Sequence, residues 1–117
     1  ARTALGAKTE KSFYADGISM KEREELIVEA LRENPGDKVL WNLLARLMMG
    51  QNDHFGGIVC LRNALRLDRE YEFALTNLSL AYRHLGFANL SYGAAIVARG
   101  IARDKWCLTE SAKVLSE

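Results

Sequence analysis

Two stretches of the sequence, separated by a fixed offset, decide the fold. Residues 41–69 read WNLLARLMMGQNDHFGGIVCLRNALRLDR, and residues 75–103 read LTNLSLAYRHLGFANLSYGAAIVARGIAR. At an offset of thirty-four residues the apolar and small positions of the two stretches coincide. The aligned pairs are Trp41 with Leu75, Leu44 with Leu78, Met48 with Tyr82, Gly57 with Ser91, Leu61 with Ala95, and Ala64 with Ala98. Repetition at this period is typical of stacked helical hairpins.

Each repeat contains two segments with the period of an α-helix. Trp41, Leu44 and Met48 lie at i, i+3 and i+7, which forms one apolar stripe. The second segment carries small residues at this spacing, beginning at Gly57 in one copy and Ser91 in the next. Small side chains allow two helix axes to approach closely, and a leucine there would overpack the contact at a cost of about 1–3 kcal/mol. The pattern predicts pairs of closely packed antiparallel helices.

Capping residues mark the predicted helix boundaries. Ser19 and Glu22 form a capping-box pattern, in which each side chain satisfies a backbone donor of the other residue. Asp37, Asn89 and two further acidic residues, Asp53 and Asp104, are candidate N-caps. We expect helices near residues 20–33, 38–50, 54–67, 72–85, 89–102 and 106–116.

These motifs resemble the tetratricopeptide repeat family, whose signature is W-x2-L-G-x2-Y followed by A-x3-F and a further alanine. The matching residues are Trp41-x2-Leu44-Ala45-x2-Met48, Gly57-x3-Leu61 and Ala64, then Leu75-x2-Leu78-Ser79-x2-Tyr82, Ser91-x3-Ala95 and Ala98. The resemblance implies an all-α fold, a right-handed superhelix of αα-hairpins over residues 19–105. Residues 106–117 would form a C-terminal capping helix or the start of a further repeat. Residues 1–18 would be a degenerate helix or a flexible segment.

The resemblance also implies a concave groove that holds an extended or helical peptide. Helical geometry places candidate groove residues between the core stripes of the first helix of each hairpin. They are Asn42, Arg46, Met49, Phe73, Thr76, Asn77, Leu80, Arg83 and His84. The implied function is a non-catalytic scaffold or adaptor that binds a protein or peptide partner. The alternatives are a small chaperone of a secreted protein and a self-associating assembly module.

One subclass of the family grips acidic chaperone tails with a clamp of lysine, arginine and asparagine residues. In one register the clamp positions hold Asn42, Arg46, Asn77, Cys107 and Ser111, of which only Asn77 matches. In the register one repeat earlier they hold Lys8, Ser12, Leu43, Phe73 and Asn77, of which only Lys8 matches. The sequence therefore disfavours a heat-shock clamp.

The cluster Asp53, His54 and Cys60 suggests a catalytic or metal site, but its spacing argues against both. Adjacent Asp53 and His54 side chains point about 100° apart on a helix, and Cys60 follows on its far side. Two cysteines, Cys60 and Cys107, and two separated histidines supply no paired zinc spacing. We predict no catalytic residue, no metal and no cofactor.

Charge and hydropathy exclude other partner classes. The net charge is +1, so no strong field attracts nucleic acid or anionic lipid. Arg62, Arg66 and Arg69 form a basic stripe without interleaved aromatic residues, which indicates a solvated face. No apolar run is long enough to cross a membrane. Two cysteines favour a reducing compartment, so cytoplasmic localisation is expected and a periplasmic one stays open.

Overall fold

The computed structural model describes residues 17–117, so the prediction for the N-terminal segment lies almost wholly outside the described residues. The described part folds into six α-helices joined by turns, without a β-strand. The helices are α1 (Met20–Glu33), α2 (Lys38–Gly50), α3 (His54–Leu67), α4 (Glu72–His84), α5 (Ala88–Ile101) and α6 (Lys105–Leu115). The predicted all-α class is confirmed, and each helix end lies within one residue of its expected place.

Most of the predicted caps are present. An oxygen of Asp37 accepts a hydrogen bond from Val39 N at 2.9 Å. Asp53 and Asp104 cap α3 and α6 in the same way. The prediction for Asn89 is wrong, because α5 begins one residue earlier and Phe87 occupies the N-cap position without a side-chain hydrogen bond.

The capping box at the start of α1 is only half of the predicted arrangement. The Ser19 Oγ accepts a hydrogen bond from Glu22 N at 3.1 Å, as expected. The Glu22 carboxylate, however, accepts from the Ser19 hydroxyl at 3.2 Å rather than from a backbone N–H. The serine still satisfies one of the free donors of the first turn.

The helices stack in two layers. The inner layer consists of α2, α4 and α6, in which α4 contacts both of the others. The outer layer consists of α1, α3 and α5, and each outer helix packs against the neighbouring inner helices. The core between the layers includes Ile27, Leu40 and Leu61, whose side chains have no exposed surface. A single hairpin could not bury this apolar surface, so the stack provides the core.

The close helix approach predicted at Gly57 and Ser91 is confirmed. A Cβ atom at Gly57 would lie 2.7 Å from Met49 Cγ and 3.3 Å from the backbone oxygen of Ala45. One repeat later, buried Ser91 donates its hydroxyl to the backbone oxygen of Ser79 at 2.8 Å. Both contacts join the outer helix of a hairpin to its inner helix, so the same close approach recurs in the two repeats.

Candidate functional site

The inner layer forms an open cleft that crosses three helices. Its volume is about 320 Å³. The residues that line it come from α2, from α4 and from the start of α6: Asn42, Arg46, Phe73, Asn77, Asp104 and Trp106. Because consecutive inner helices each contribute side chains, a ligand in this cleft would contact more than one repeat.

A buried pair of amides lies at the base of the cleft. Asn77 Nδ2 donates a hydrogen bond to Asn42 Oδ1 at 3.0 Å, and the two residues are only 4% and 6% exposed. The bond uses one donor of Asn77 and one acceptor site of Asn42, which leaves Asn42 Nδ2 and Asn77 Oδ1 available. Both residues line the cleft. The pair can therefore offer one N–H donor and one oxygen acceptor to a ligand.

Aromatic rings form the wall of the cleft beside the amides. The Phe73 and Trp106 rings lie nearly parallel, with an interplanar angle of 13° and centroids 6.4 Å apart. On its other side Phe73 contacts Tyr71 edge-on at 5.8 Å. Trp106 stays 41% exposed at the mouth of the cleft. This wall can contact an apolar or aromatic side chain of a ligand.

The charged groups of the cleft have unequal roles. Arg46 is exposed on α2 and brings a guanidinium group to the rim. The Asp104 carboxylate is used by α6, because one of its oxygens accepts from Trp106 N at 2.9 Å and from Cys107 N at 3.3 Å. Arg46 is thus suited to an anionic group, whereas Asp104 mainly fixes the start of α6.

Glu72 ties the start of α4 to the start of α6. Its two carboxylate oxygens accept hydrogen bonds from Arg103 N at 3.0 Å and from Asp104 N at 2.8 Å. Ligand atoms of Glu72, Asp104 and Cys107 all lie within 4.8 Å of one another, which is compact enough for a metal ion. The carboxylates are already used by backbone N–H groups, and the thiol is protonated. The cluster is therefore explained as a connection between inner helices that holds Trp106 beside Phe73.

The two cysteines are poor nucleophiles. Burial raises the pKa of the Cys60 thiol to about 11, and the nearby Asp53 carboxylate adds to the shift. Burial also raises the pKa of Cys107 to about 11, with a smaller contribution from the carboxylates of Glu72 and Asp104. Both thiols are free and buried. Since only a thiolate attacks efficiently, neither cysteine has the environment of a catalytic nucleophile.

The structure places four of the nine predicted groove residues in the cleft, namely Asn42, Arg46, Phe73 and Asn77. Two others face the protein interior. Met49 packs against Gly57 between α2 and α3. Thr76 is fully buried and donates its hydroxyl to the backbone oxygen of Glu72 at 2.9 Å. These two side chains face neighbouring helices rather than the cleft.

The remaining three predicted residues lie away from the cleft lining. Leu80 is half-buried on α4. Arg83 forms an ion pair with Glu117, with 2.7 Å between Nη1 and Oε1. His84 stacks on His54, with ring centroids 4.7 Å apart and an interplanar angle of 4°. The two histidines are thirty residues apart in the sequence but in contact in the fold. Their contact lies at the opposite end of α4 from Phe73.

Sequence reasoning missed Asp104 and Trp106 as cleft residues. Both stand at the start of α6, which was interpreted as a cap over the exposed core. The sequence did contain a signal, because Trp106 lies within one residue of the repeat counterpart of Phe73. The exact thirty-four-residue counterpart of Phe73 is Cys107, so the register alone would not have placed Trp106 in the groove.

Comparison with solved structures shows which fold this is. One similar structure is the first TPR domain of Spaghetti (RPAP3), bound to the HSP90 peptide SRMEEVD. Its TM-score is 0.79 at 16% sequence identity, and the match covers 96% of the present chain and 88% of the RPAP3 domain. The Sgt2 TPR domain of Aspergillus fumigatus has a TM-score of 0.80 at 17% identity, with coverage of 97% and 79%. The chain has a tetratricopeptide-type fold.

A further solved structure agrees with this fold. The second TPR domain of human RPAP3, in complex with the HSP70 peptide SGPTIEEVD, has a TM-score of 0.77 at 16% identity and covers 94% of this chain and 92% of that chain. No family model and no curated protein matches the sequence. Among the described helices of this tetratricopeptide-type array, none has the length and apolar character needed to span a bilayer.

Proposed function

We propose that the chain is a non-catalytic protein-interaction module that binds an extended segment of a partner protein in the cleft of its inner layer. The observation that carries the proposal is the amide pair Asn42–Asn77 beside the stacked rings of Phe73 and Trp106. Solved tetratricopeptide domains with this fold hold peptides from HSP90 and HSP70, which supports a peptide as the ligand class.

The chemistry of the cleft defines the peptide that it fits. The amide N–H of Asn42 and the amide oxygen of Asn77, which take no part in the bond between the two residues, match the carbonyl and the N–H of an extended backbone. An apolar or aromatic side chain would pack on Phe73 and Trp106. An acidic side chain would pair with Arg46, since a guanidinium binds carboxylates in a two-bond geometry. We therefore infer a segment with an apolar residue near an acidic one.

The structure offers little support for a clamp on an acidic carboxyl terminus. Two of the clamp positions are occupied by Cys107 and Ser111, which are fully buried and uncharged. The Ser111 hydroxyl donates to the backbone oxygen of Cys107 at 2.6 Å. These residues cannot supply the lysine and arginine that such a clamp requires, so the partner is proposed to be an internal or non-clamped segment.

A displayed library of random peptides, panned on the immobilised chain, tests the proposal. Recovered peptides are labelled and titrated by fluorescence anisotropy, with an expected affinity near micromolar, or about −8 kcal/mol. Arg46→Glu and Trp106→Ala should each weaken binding about 10-fold or more, because one removes a charge contact and the other the aromatic wall. The matched controls are Arg62→Glu on α3 and Asn89→Ala on α5, both exposed and outside the cleft.

Circular dichroism of every variant separates lost binding from lost folding. The proposal is supported if the cleft variants keep their helicity and lose the peptide while both controls bind as the parent does. It fails if no peptide is enriched over a Arg46→Glu/Trp106→Ala double variant used for counter-selection, or if cleft and control variants bind equally.

A further inference from the structure

The outer helix α5 presents an apolar face that nothing in the described part of the chain covers. Leu90, Ile96 and Val97 are 54%, 53% and 49% exposed, although each is a large apolar residue in the middle of a folded helix. Gly93 and Gly100 lie on the same side of the helix and are also exposed. The only charged residue within α5 is Arg99. A surface helix normally turns polar residues to water, so this face is unusual for a solvated one.

The apolar face continues onto α3. Phe87 at the start of α5 contacts Phe55 with ring centroids 6.4 Å apart, and Phe55 is itself 63% exposed. Val59, one turn further along α3, is 61% exposed. We call the combined surface the outer apolar face. It consists of Phe55, Val59, Phe87, Leu90, Gly93, Ile96, Val97 and Gly100, and it lies on the outer layer, away from the cleft.

The size of the outer apolar face is in the range of a protein interface. Six large side chains that each expose about half their area contribute roughly 500 Å² of apolar surface. The largest apolar patch on an ordinary monomer is about 300–600 Å², and one partner of a standard interface contributes about 800 Å². The face is therefore at the upper end of the range for a monomer, and its polar margin would have to contribute the rest of the area that one side of a standard interface buries.

The glycines on this face have no packing explanation among residues 17–117. A Cβ atom at Gly93 or Gly100 would meet no atom of the described residues within 4 Å, and neither residue has a positive φ. Glycine in an exposed helix interior is less stable than alanine, so each of these positions weakens α5. Gly57 differs, because a Cβ atom there would clash with the neighbouring helix. Glycine at 93 and 100 leaves room for another backbone to approach α5 closely.

We propose that the outer apolar face pairs with the same face of a second copy, with the two α5 helices antiparallel about a two-fold axis at Ala95. In this arrangement residues that are equally far from Ala95 come to the same level along the pair. Leu90 and Gly100 are each five residues away, or about 7.5 Å along the axis. Gly93 and Val97 are each two residues away. The levels of Leu90 and Val97 thus each combine one large side chain from one copy with a glycine from the other, and Ile96 shares its level with Ala94 of the other copy.

This self-complementarity favours a second copy over an unrelated occupant. A two-fold contact requires a surface that is complementary to itself. Along α5 the order is large, small, large, small: Leu90, Gly93, Val97, Gly100. In an antiparallel pair the second copy presents the reverse order, so each large residue meets a small one. Charge does not oppose the contact between the two α5 helices. The two Arg99 residues stand about 12 Å apart along the axis, which is beyond the Debye length at physiological salt.

Sedimentation velocity on the full 117-residue chain, from on the order of 1 to 200 μM, tests the proposal. The parent should pass from monomer to dimer as its concentration rises. Val97→Glu buries a charge in the contact and should raise the dimer dissociation constant about 100-fold or more. Its matched control is Leu67→Glu on α3, which places the same charge at a residue of similar exposure, 47%, outside the face.

Gly93→Ala separates association from folding because it acts in opposite directions on the two. The added methyl group should raise the thermal midpoint of the monomer, since alanine is the better helix former. It should also weaken the dimer about 10-fold, since the helices can no longer approach as closely. Misfolding cannot raise the thermal midpoint of the monomer and weaken the dimer in the same variant.

Each outcome of the series decides the proposal. A dimer that is lost in Val97→Glu, weakened in Gly93→Ala and retained in Leu67→Glu supports it. A chain that stays monomeric at every concentration overturns it, and so does a dimer that survives Val97→Glu. Growth into oligomers without an end point overturns the two-fold arrangement. If Arg46→Glu loses the dimer and Val97→Glu keeps it, the copies associate through the cleft, and the proposed α5 contact is overturned.

Discussion

Replacing Gly57 by alanine should destabilise the fold, although alanine is the better helix former. The new Cβ atom would stand 2.7 Å from Met49 Cγ and 3.3 Å from the backbone oxygen of Ala45. Carbon atoms in good contact are about 3.5–4.0 Å apart, so Met49 would have to move by roughly 1 Å. The oxygen of Ala45 can move only if α2 itself shifts. Overpacking of this kind costs about 1–3 kcal/mol, whereas the gain in helix propensity is about 1 kcal/mol.

The net effect of Gly57→Ala is a loss of about 1 kcal/mol in the free energy of unfolding. For a domain of this size that lowers the thermal midpoint by about 4–6 °C. Urea unfolding followed by the fluorescence of Trp41 and Trp106 gives the free energy, and calorimetry gives the midpoint. Gly93→Ala is the matched control at low protein concentration, because its Cβ would meet nothing and should stabilise α5 by up to about 1 kcal/mol. The reasoning is refuted if Gly57→Ala is as stable as the parent.

Three further predictions follow from contacts outside the helix–helix approach. Cys60 and Cys107 should react with a thiol reagent at pH 8 about 100-fold more slowly in the folded chain than in urea, because their pKa is raised to about 11 and the reactive thiolate forms only at higher pH. Glu72→Gln should lower the free energy of unfolding by about 1–2 kcal/mol, because it weakens the hydrogen bonds that hold the start of α6. Amide hydrogen exchange should then become faster in α6 alone. An equal increase in exchange over all helices would contradict this assignment. Asp53→Ala should cost about 1 kcal/mol in urea unfolding because it removes an N-cap, while Asn89→Ala should be neutral, so equal losses would contradict the cap assignment.

The repeat architecture could be predicted from the sequence because it depends on local patterns. Helix periodicity, small residues at Gly57 and Ser91, and acidic caps such as Asp53 each act within one hairpin. Those predictions hold to within one residue at the helix ends. The error at Asn89 is also local, because two adjacent positions compete for the N-cap and the chain enters α5 from Phe87 without a capping side chain.

The candidate site was harder to predict because its geometry depends on neighbouring helices. The position of a residue on a helical wheel gives the direction of its side chain but not which neighbouring helix it contacts. Met49 was therefore predicted in the groove, although its side chain packs on Gly57 of α3. Arg83 is held by Glu117, a residue far along the chain. Trp106 lies at the start of α6, where the Glu72 carboxylate accepts hydrogen bonds from the two preceding backbone N–H groups of Arg103 and Asp104. No single-helix pattern contains these three contacts.

The turns inside the hairpins α2–α3 and α4–α5 each have a residue with left-handed backbone conformation at the same repeat position. Asn52 has a φ of 66°, and Gly86, thirty-four residues later, has a φ of 80°. Asparagine and glycine are the residues that adopt this conformation at least cost. The two hairpins therefore reverse direction with a left-handed residue at the same repeat position. An engineered unit inserted into the array would extend the cleft by one inner helix, and asparagine or glycine at this repeat position would suit the turn within its hairpin.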